Sequence, residues 1–163
     1  MGPNQQDWQL WDELASMFRG NSPTRVDEKG RLKVPADHKR VLDEKYGSTK
    51  FYITSLDGKV AQVYPMEEWE RIEQKLAALP TFNSTKQKFL DRTNYYGQVV
   101  EMDGQGRLLI PGLLRESANI KGEVAVLGKL TLLEVRNMEA FKKEMEAQPF
   151  TPEDAETLGQ LGI

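Results

Sequence analysis

An internal repeat limits the possible folds of this chain more than any other feature. Residues 26–35 read V-D-E-K-G-R-L-K-V-P, and residues 102–111 read M-D-G-Q-G-R-L-L-I-P, at an offset of 76 residues. A second pair follows in the same order, because Met66-Glu67 and Trp69 are matched by Met138-Glu139 and Phe141. Two matched blocks in one order indicate that the chain is a duplicated module.

Each copy of the repeat predicts a tight hairpin. A strand ends at Asp27 or Asp103, and the pattern Asp-x-x-Gly predicts a turn in which the aspartate accepts backbone hydrogen bonds. The glycines of the two turns, Gly30 and Gly106, suit a backbone with positive φ. The chain then returns as an alternating strand until a proline ends it, and a short helix is expected to follow.

The remaining patterns predict two more strands and a closing helix in each module. We expect strands at 50–54 and 60–64 and at 123–127 and 130–135, with turns at Asp57-Gly58 and at Gly128. The predicted closing helices run from near Pro65 to before Pro80 and over about 138–147. A helix over 83–96 is expected to pack the two modules together. The predicted divisions are an N-terminal extension at 1–16, a first module at 17–80, a connecting helix at 81–96, a second module at 97–147 and an acidic flexible tail at 148–163.

The fold class follows from the size of the modules. Each half has about 55 residues and exposes strand edges, so neither half should be stable alone. We therefore expect the halves to interleave into one pseudo-twofold β-barrel dressed with helices, which is an α+β fold.

Composition excludes several classes of site. The chain of 163 residues has no cysteine and one histidine, His38, which argues against disulfide scaffolds, thiolate zinc sites and Ser-His-Asp triads. No apolar run approaches the length of a membrane span, and residues 1–16 lack the pattern of a secretory signal. We expect no metal, no cofactor and no small-molecule substrate.

Charge is distributed unevenly along the chain. The net charge is −3, yet residues 19–40 alone sum to +4, because the acidic residues concentrate at 1–18 and 137–163. The local electrostatic field, rather than the net charge of the whole chain, determines which partner binds to a given surface. Lys29 and Arg31 lie at the first hairpin turn, and Arg25, Lys33, Lys39 and Arg40 are expected to add charge nearby. Such a basic ridge could follow DNA phosphates and reach guanine edges.

The aspartates of the two turns, Asp27 and Asp103, allow two other interpretations of the repeated motif. Asp27 and Asp103 could simply cap their turns and pair with Arg31 and Arg107, as exposed ion pairs do. An aspartic-protease-like dyad is disfavoured, because the adjoining arginines would lower the carboxyl pKa values whereas a shared proton needs one of them raised.

The motifs in order resemble the MraZ family of bacterial transcriptional regulators. The resemblance rests on Met17-Phe18-Arg19-Gly20, on D-E-K-G-R-L-K-V-P, on Y-P-M-E-E-W-E-R-I-E-Q-K-L and on D-G-Q-G-R-L-L-I-P-G-L-L-R, and it covers about 17–145. It implies an AbrB-like swapped-hairpin fold with two tandem modules in one chain. It further implies a ring-like homo-oligomer that binds repeated boxes of double-stranded DNA in its own promoter, at the head of the division and cell-wall gene cluster, in the cytoplasm and at the nucleoid.

The resemblance also implies roles for individual residues. Arg31 and Lys29 would be the main DNA contacts, and Arg107 holds the matching place in the second module, where Gln105 replaces the lysine. Arg19 matches the start motif, and Lys39 and Arg40 fall where AbrB-type domains carry basic residues. The chain departs from the family at Asp91, at Arg136 and in residues 1–16, where Trp8, Trp11 and Leu14 could form an amphipathic turn.

The alternative function is an oligomeric protein-interaction module of the antitoxin type, with DNA binding secondary. It is suggested by the acidic 137–163 segment and by the amphipathic N-terminus.

Overall fold

The structure is a computed structural model that describes residue 2, residues 4–8 and residues 17–163. Eight strands in this part of the chain form one antiparallel sheet. Those of the first module are β1 (Thr24–Val26), β2 (Arg31–Lys33), β3 (Lys50–Thr54) and β4 (Ala61–Pro65). Those of the second are β5 (Gln98–Glu101), β6 (Arg107–Leu109), β7 (Gly122–Gly128) and β8 (Leu133–Asn137).

The sheet curves into a nearly closed barrel. Its strand order is β5-β3-β4-β8-β7-β1-β2-β6, and the turn between β5 and β6 brings the two ends of this order together. The counterparts in the two modules are β1 and β5, β2 and β6, β3 and β7, and β4 and β8. When each strand is replaced by its counterpart, the same circular order results, read in the opposite direction. The expected α+β barrel with pseudo-twofold symmetry is therefore confirmed.

The two modules exchange their hairpins. Strand β1 pairs with β7 of the second module, with Thr24 opposite Val124, and β5 pairs with β3 of the first module, with Phe51 opposite Val100. Strands β2 and β6 pair with each other, so that Leu32 lies opposite Leu108. Both leucines are buried in the barrel core together with Val26, Phe51, Ile53, Val63, Val100, Ile110, Val124, Val126 and Val135. Each module thus completes the sheet of the other, which explains why one core serves both.

Helices connect and flank the strands. They are α1 (Ala36–Val41), continued by a π-helical turn (Leu42–Tyr46), α2 (Met66–Ala77), α3 (Ser84–Tyr95), α4 (Gly112–Ser117), α5 (Met138–Ala147) and α6 (Pro152–Gln160). Helix α3 is the connecting helix expected from the sequence. Its contacts are with the first module, because Trp69 of α2 stacks on Phe89, and the Thr93 carbonyl accepts hydrogen bonds from Tyr52 and Thr54.

The residues before β1 pair with the end of β7 and with the turn that follows it. Phe18 and Leu130 exchange two backbone hydrogen bonds of 2.9 and 3.0 Å, and the Gly128 N–H donates to the Gly20 carbonyl. Phe18 is 1% exposed, and its ring stacks on Tyr46 at 6.2 Å. The family start motif is therefore part of the barrel wall. Of the amphipathic turn expected in the extension, Trp11 and Leu14 lie outside the described residues.

One expectation from the sequence needs correction. Gly128 does not make a turn but ends β7, where a Cβ would collide with the backbone of Phe18 and Arg19. The turn contains Leu130 instead, at φ 67°. The sequence predicted that Leu130 begins the strand over 130–135, and a strand residue does not have positive φ. The segment predicted to be the acidic tail contains helix α6. Its start is a capping box in which Thr151 and Asp154 exchange side-chain to backbone hydrogen bonds.

Candidate nucleic-acid interface

The first hairpin turn is held by one aspartate. Asp27 Oδ1 accepts hydrogen bonds from the backbone N–H groups of Lys29 at 3.0 Å and Arg31 at 2.9 Å, and its Oδ2 accepts from Arg31 Nε at 2.8 Å. These bonds stabilise the carboxylate, so the pKa of Asp27 is lowered, chiefly by the Arg31 backbone N–H. Gly30 closes the turn at φ 82°. The arginine side chain is therefore oriented by the turn that carries it.

The second turn repeats this arrangement almost atom for atom. Asp103 Oδ1 accepts from the N–H groups of Gln105 at 2.9 Å and Arg107 at 3.0 Å, and Oδ2 accepts from Arg107 Nε at 2.8 Å. The pKa of Asp103 is lowered for the same leading reason, the backbone N–H of Arg107. Two aspartates with lowered pKa values do not suit a shared catalytic proton.

The arginines of the two turns share one outer surface with Lys33. Across the β2–β6 pair, Lys33 lies opposite Arg107 and Arg31 lies opposite Leu109. Directly opposed side chains lie on the same face of an antiparallel sheet, and here the other face holds the buried Leu32. Because Nε of each arginine donates a hydrogen bond to an aspartate, Nη1 and Nη2 are the atoms that can bind a ligand. We call Arg31, Lys33, Arg107 and Leu109 the ribbon face.

Hairpin exchange brings a cation from the opposite module to each turn. A Cβ on Gly30 would overlap the guanidinium of Arg115, which belongs to α4 of the second module and donates from Nε to the Ile110 carbonyl at 2.8 Å. A Cβ on Gly106 would lie 3.4 Å from Cε of Lys39, which belongs to α1 of the first module. Lys39, expected to add charge near the first hairpin, thus lies against the second turn.

Arg115 is a candidate that the sequence patterns did not select. It stands 76 residues after Lys39, so extending the repeat alignment past the prolines would have matched the two cations. Only the exchanged hairpins reveal that each one lies against the turn of the other module.

The other predicted basic residues are less closely grouped. Arg25 is exposed, and its Nη1 lies 4.0 Å from Glu123 on the neighbouring strand β7. Arg40 is exposed on α1. Arg19 follows Phe18, whose partner Leu130 lies just beyond β7, and it is about 26 Å along the extended chain from the turn at Asp27, given a rise of about 3.3 Å per residue. The structure does not bring Arg19 to the ribbon face.

The two modules differ in charge at matched positions. Lys29 corresponds to Gln105, and Lys33 corresponds to Leu109. Arg25 and Arg40 correspond to acidic residues, Glu101 and Glu116. Among the basic residues considered for this interface, only the turn arginines and the matched Lys39 and Arg115 are basic in both copies. The first module therefore carries most of the positive charge of this interface.

Residue 2, residues 4–8 and residues 17–163 contain neither a membrane-spanning helix nor a metal-binding cluster. No helix in these ranges is long and apolar enough to cross a membrane. Nor do these ranges hold three His, Cys, Asp or Glu side chains grouped to bind a metal ion.

Comparison with known proteins gives one consistent result. The family model described as "MraZ protein, putative antitoxin-like" matches residues 17–92 and 97–161. The protein named Transcriptional regulator MraZ in Koribacter versatilis is 66% identical over 147 residues, which are 90% of this chain and 100% of the relative. Its namesake in Acidobacterium capsulatum is 63% identical with the same coverage. That of Syntrophobacter fumaroxidans is 38% identical over 74% of this chain and 79% of its own.

Proposed function

The chain belongs to the MraZ family, and from that premise we propose that it is a sequence-specific DNA-binding transcriptional regulator. We further propose that it acts at the promoter of the division and cell-wall gene cluster that contains its own gene. The observation that carries the proposal is the ribbon face, on which two arginines are held in fixed orientation by Asp27 and Asp103. Preoriented guanidinium groups suit the recognition of paired acceptors.

The geometry suits the major groove of DNA. That groove is about 12 Å wide and admits a two-stranded ribbon, and an arginine can bond O6 and N7 of a guanine at once. Arg31 and Arg107 would read bases through Nη1 and Nη2. Lys29, Lys33, Lys39 and Arg115 surround the same turns and would bind phosphates, while Arg25 and Arg40 would add to the attraction. Asp27, Gly30, Asp103 and Gly106 would act by shaping the turns.

A gel-shift titration tests the proposal. The DNA is the region upstream of the gene, compared with a scrambled duplex of equal length, and the proteins are wild type, Arg31→Ala and Arg107→Ala. Lys75→Ala, an exposed change on α2, is the matched control. We expect Arg31→Ala to lose the preference for the upstream DNA, Arg107→Ala to weaken it less, and the control to bind like wild type. Each lost guanine contact should cost about 1–3 kcal/mol.

The salt dependence provides a second readout. Each phosphate contact contributes about 0.9 to the slope of log affinity against log salt concentration. Lys29→Ala should lower that slope by about 0.9 while largely keeping the sequence preference. If Arg31→Ala retains full preference for the upstream DNA, the assignment of the ribbon face is wrong.

We also propose that the protein forms a ring-like homo-oligomer in the cytoplasm, associated with the nucleoid. Several linked copies would present several ribbon faces to repeated DNA boxes, which raises the overall affinity through effective concentration. Sedimentation velocity of the pure protein and imaging of a fluorescent fusion test the two parts separately.

A second candidate function is supported by the acidic, exposed segment after α5 and by the antitoxin-like description of the family model. In that case the protein would bind another protein stoichiometrically, and DNA binding would be secondary. Native mass spectrometry of the protein purified from its own cells distinguishes the two. A stoichiometric foreign subunit together with weak, non-selective DNA binding would favour the second candidate.

A further inference from the structure

One member of the ribbon face is apolar and has no part in the contacts proposed above. Leu109 lies in β6 and is 51% exposed. Its neighbour Leu108 is buried in the core, and because side chains alternate along a strand, Leu109 is on the outer face of the sheet. The first module has Lys33 at the matched position. Leu109 therefore leaves apolar area in water at a place where the other module carries a cation.

Leu109 is the direct neighbour of Arg31 across the β2–β6 pair. The adjacent pair, Gly30 with Ile110, is joined by a hydrogen bond of 3.0 Å from the Ile110 N–H to the Gly30 carbonyl. Hydrogen-bonded and non-hydrogen-bonded pairs alternate along an antiparallel ladder, so Arg31 and Leu109 form a non-hydrogen-bonded pair, the kind in which side chains lie closer together. Their Cβ atoms are then about 5 Å apart. A ligand that binds the Arg31 guanidinium therefore lies next to Leu109.

The charge around Leu109 indicates the chemistry of that ligand. The other members of the ribbon face, Arg31, Lys33 and Arg107, are all cationic, and such a surrounding favours a polyanion. The apolar group that DNA presents in its major groove is the 5-methyl group of thymine. Successive bases of one strand are about 3.4 Å apart, so a side chain about 5 Å from the arginine reaches the base beside the one that the arginine bonds.

We propose that Leu109 contacts the 5-methyl group of a thymine next to the guanine that Arg31 bonds, and so selects a T·A pair at that position. The inference rests on the proposed DNA binding, to which it adds an uncharged residue that determines specificity. At the other end of the ribbon face, Arg107 has Lys33 as its direct neighbour, which provides no branched apolar group. The two arginines are held alike by their turns but recognise different base steps.

Removal of single methyl groups from the DNA tests the contact. Deoxyuridine keeps the pairing atoms of thymidine and lacks only the 5-methyl group. The DNA is the shortest duplex from the upstream region that wild type prefers to a scrambled duplex of equal length, prepared as a series in which each thymine in turn is replaced by deoxyuridine. The affinities are measured by competition gel shift for wild type, Leu109→Ala, Leu109→Met, Lys33→Ala and Leu79→Ala. Leu79 is 44% exposed and lies outside the ribbon face, so Leu79→Ala removes a comparable exposed side chain.

We expect a thymine at which deoxyuridine weakens wild-type binding about fourfold, which is the effect of leaving one methyl group in water. In Leu109→Ala the same replacement should have no effect, although this variant binds the thymine-containing duplex more weakly than wild type. Leu109→Met, which nearly conserves side-chain volume, should keep the effect, and Leu79→Ala should behave like wild type. Lys33→Ala should bind more weakly and with a lower salt slope, but it should keep the fourfold ratio. The ratio compares two duplexes for one protein, so an inactive fraction of a variant cancels from it.

Three results would overturn this inference and leave the proposed DNA binding in place. The first is that no thymine shows the effect in wild type. The second is that deoxyuridine weakens wild type and Leu109→Ala equally, because the methyl group then acts through another residue or through the shape of the DNA. The third is that the effect also disappears in Lys33→Ala, because it then does not belong to Leu109. If wild type shows no preference for the upstream DNA at all, the proposed function fails and the inference fails with it.

Discussion

Replacing Gly30 by alanine tests whether Arg115 of the second module completes the turn of the first. Gly30 has φ 82°, and a Cβ there would overlap the Arg115 guanidinium. Gly106 has nearly the same backbone conformation, at φ 74°, but the nearest atom to its Cβ would be Cε of Lys39 at 3.4 Å, on a flexible side chain. Both substitutions therefore carry the free-energy cost of a non-glycine residue at positive φ, and only Gly30→Ala also displaces the Arg115 side chain.

The magnitude follows from these two contributions. A non-glycine residue in the left-handed region costs about 1–2 kcal/mol. Displacing Arg115 also breaks its 2.8 Å hydrogen bond from Nε to the Ile110 carbonyl, and hydrogen bonds from charged groups are worth about 1.5–3 kcal/mol. Gly106→Ala should therefore lower the free energy of unfolding by about 1–2 kcal/mol, and Gly30→Ala by about 2.5–5 kcal/mol. At about 3 °C per kcal/mol for a chain of this size, the difference of about 1.5–3 kcal/mol corresponds to a difference in Tm of about 5–9 °C.

Urea denaturation followed by circular dichroism measures both variants. Gly104→Ala is the control, because no atom lies within 4 Å of its Cβ position, and it should change stability by less than about 1 kcal/mol. In an Arg115→Ala background the difference between the Gly30 and Gly106 substitutions should vanish. Equal losses for the two glycines with Arg115 intact would refute the reasoning, since they would show that Arg115 moves aside at no cost.

Three further predictions concern other parts of the molecule. Phe18→Ala should lower the free energy of unfolding by about 3–5 kcal/mol, because the ring is buried, whereas the exposed Leu79→Ala should change it little; equal urea midpoints would contradict this. Burial lowers the pKa of His38, so the unfolded chain takes up a proton first as pH falls below 6.5, and stability should decline there. His38→Leu, which copies Leu114 of the second module, should remove this decline, and an unchanged pH profile of Tm would count against it. Gln105→Lys should add a phosphate contact and steepen the salt dependence of DNA affinity by about 0.9, so an unaltered slope would place the second turn away from DNA.

The turns and the general architecture could be predicted from the sequence because their causes are local. Asp-x-x-Gly followed by arginine specifies the hydrogen bonds of the turn from within five residues, and both copies adopt it. The helix expected over about 138–147 has those bounds, since Asn137 caps it with a hydrogen bond from Ala140 N–H. The two halves also had to interleave, because neither could bury its own strand edges.

The remaining features depend on tertiary contacts that no local pattern contains. Which turn Lys39 and Arg115 approach depends on which module each hairpin joins. Leu130 adopts positive φ although its residue type disfavours it, because its backbone pairs with Phe18 at the chain entrance. For α6 a local signal was present, since Thr151-Pro152 with Asp154 forms a capping box, but the acidic composition of the tail suggested flexibility instead.

The exchange of hairpins also has a consequence for synthesis on the ribosome. Thr24 in β1 has Val124 in β7 as its partner, one hundred residues later. At about 5–20 residues per second, the first hairpin waits about 5–20 s before its neighbour emerges. During that time β1 presents an open strand edge, and a nascent chain on an adjacent ribosome offers an identical β7. Pairing between such chains would produce a dimer with exchanged hairpins, so the exchange that completes the barrel within one chain is also the step at which two chains can become entangled during synthesis.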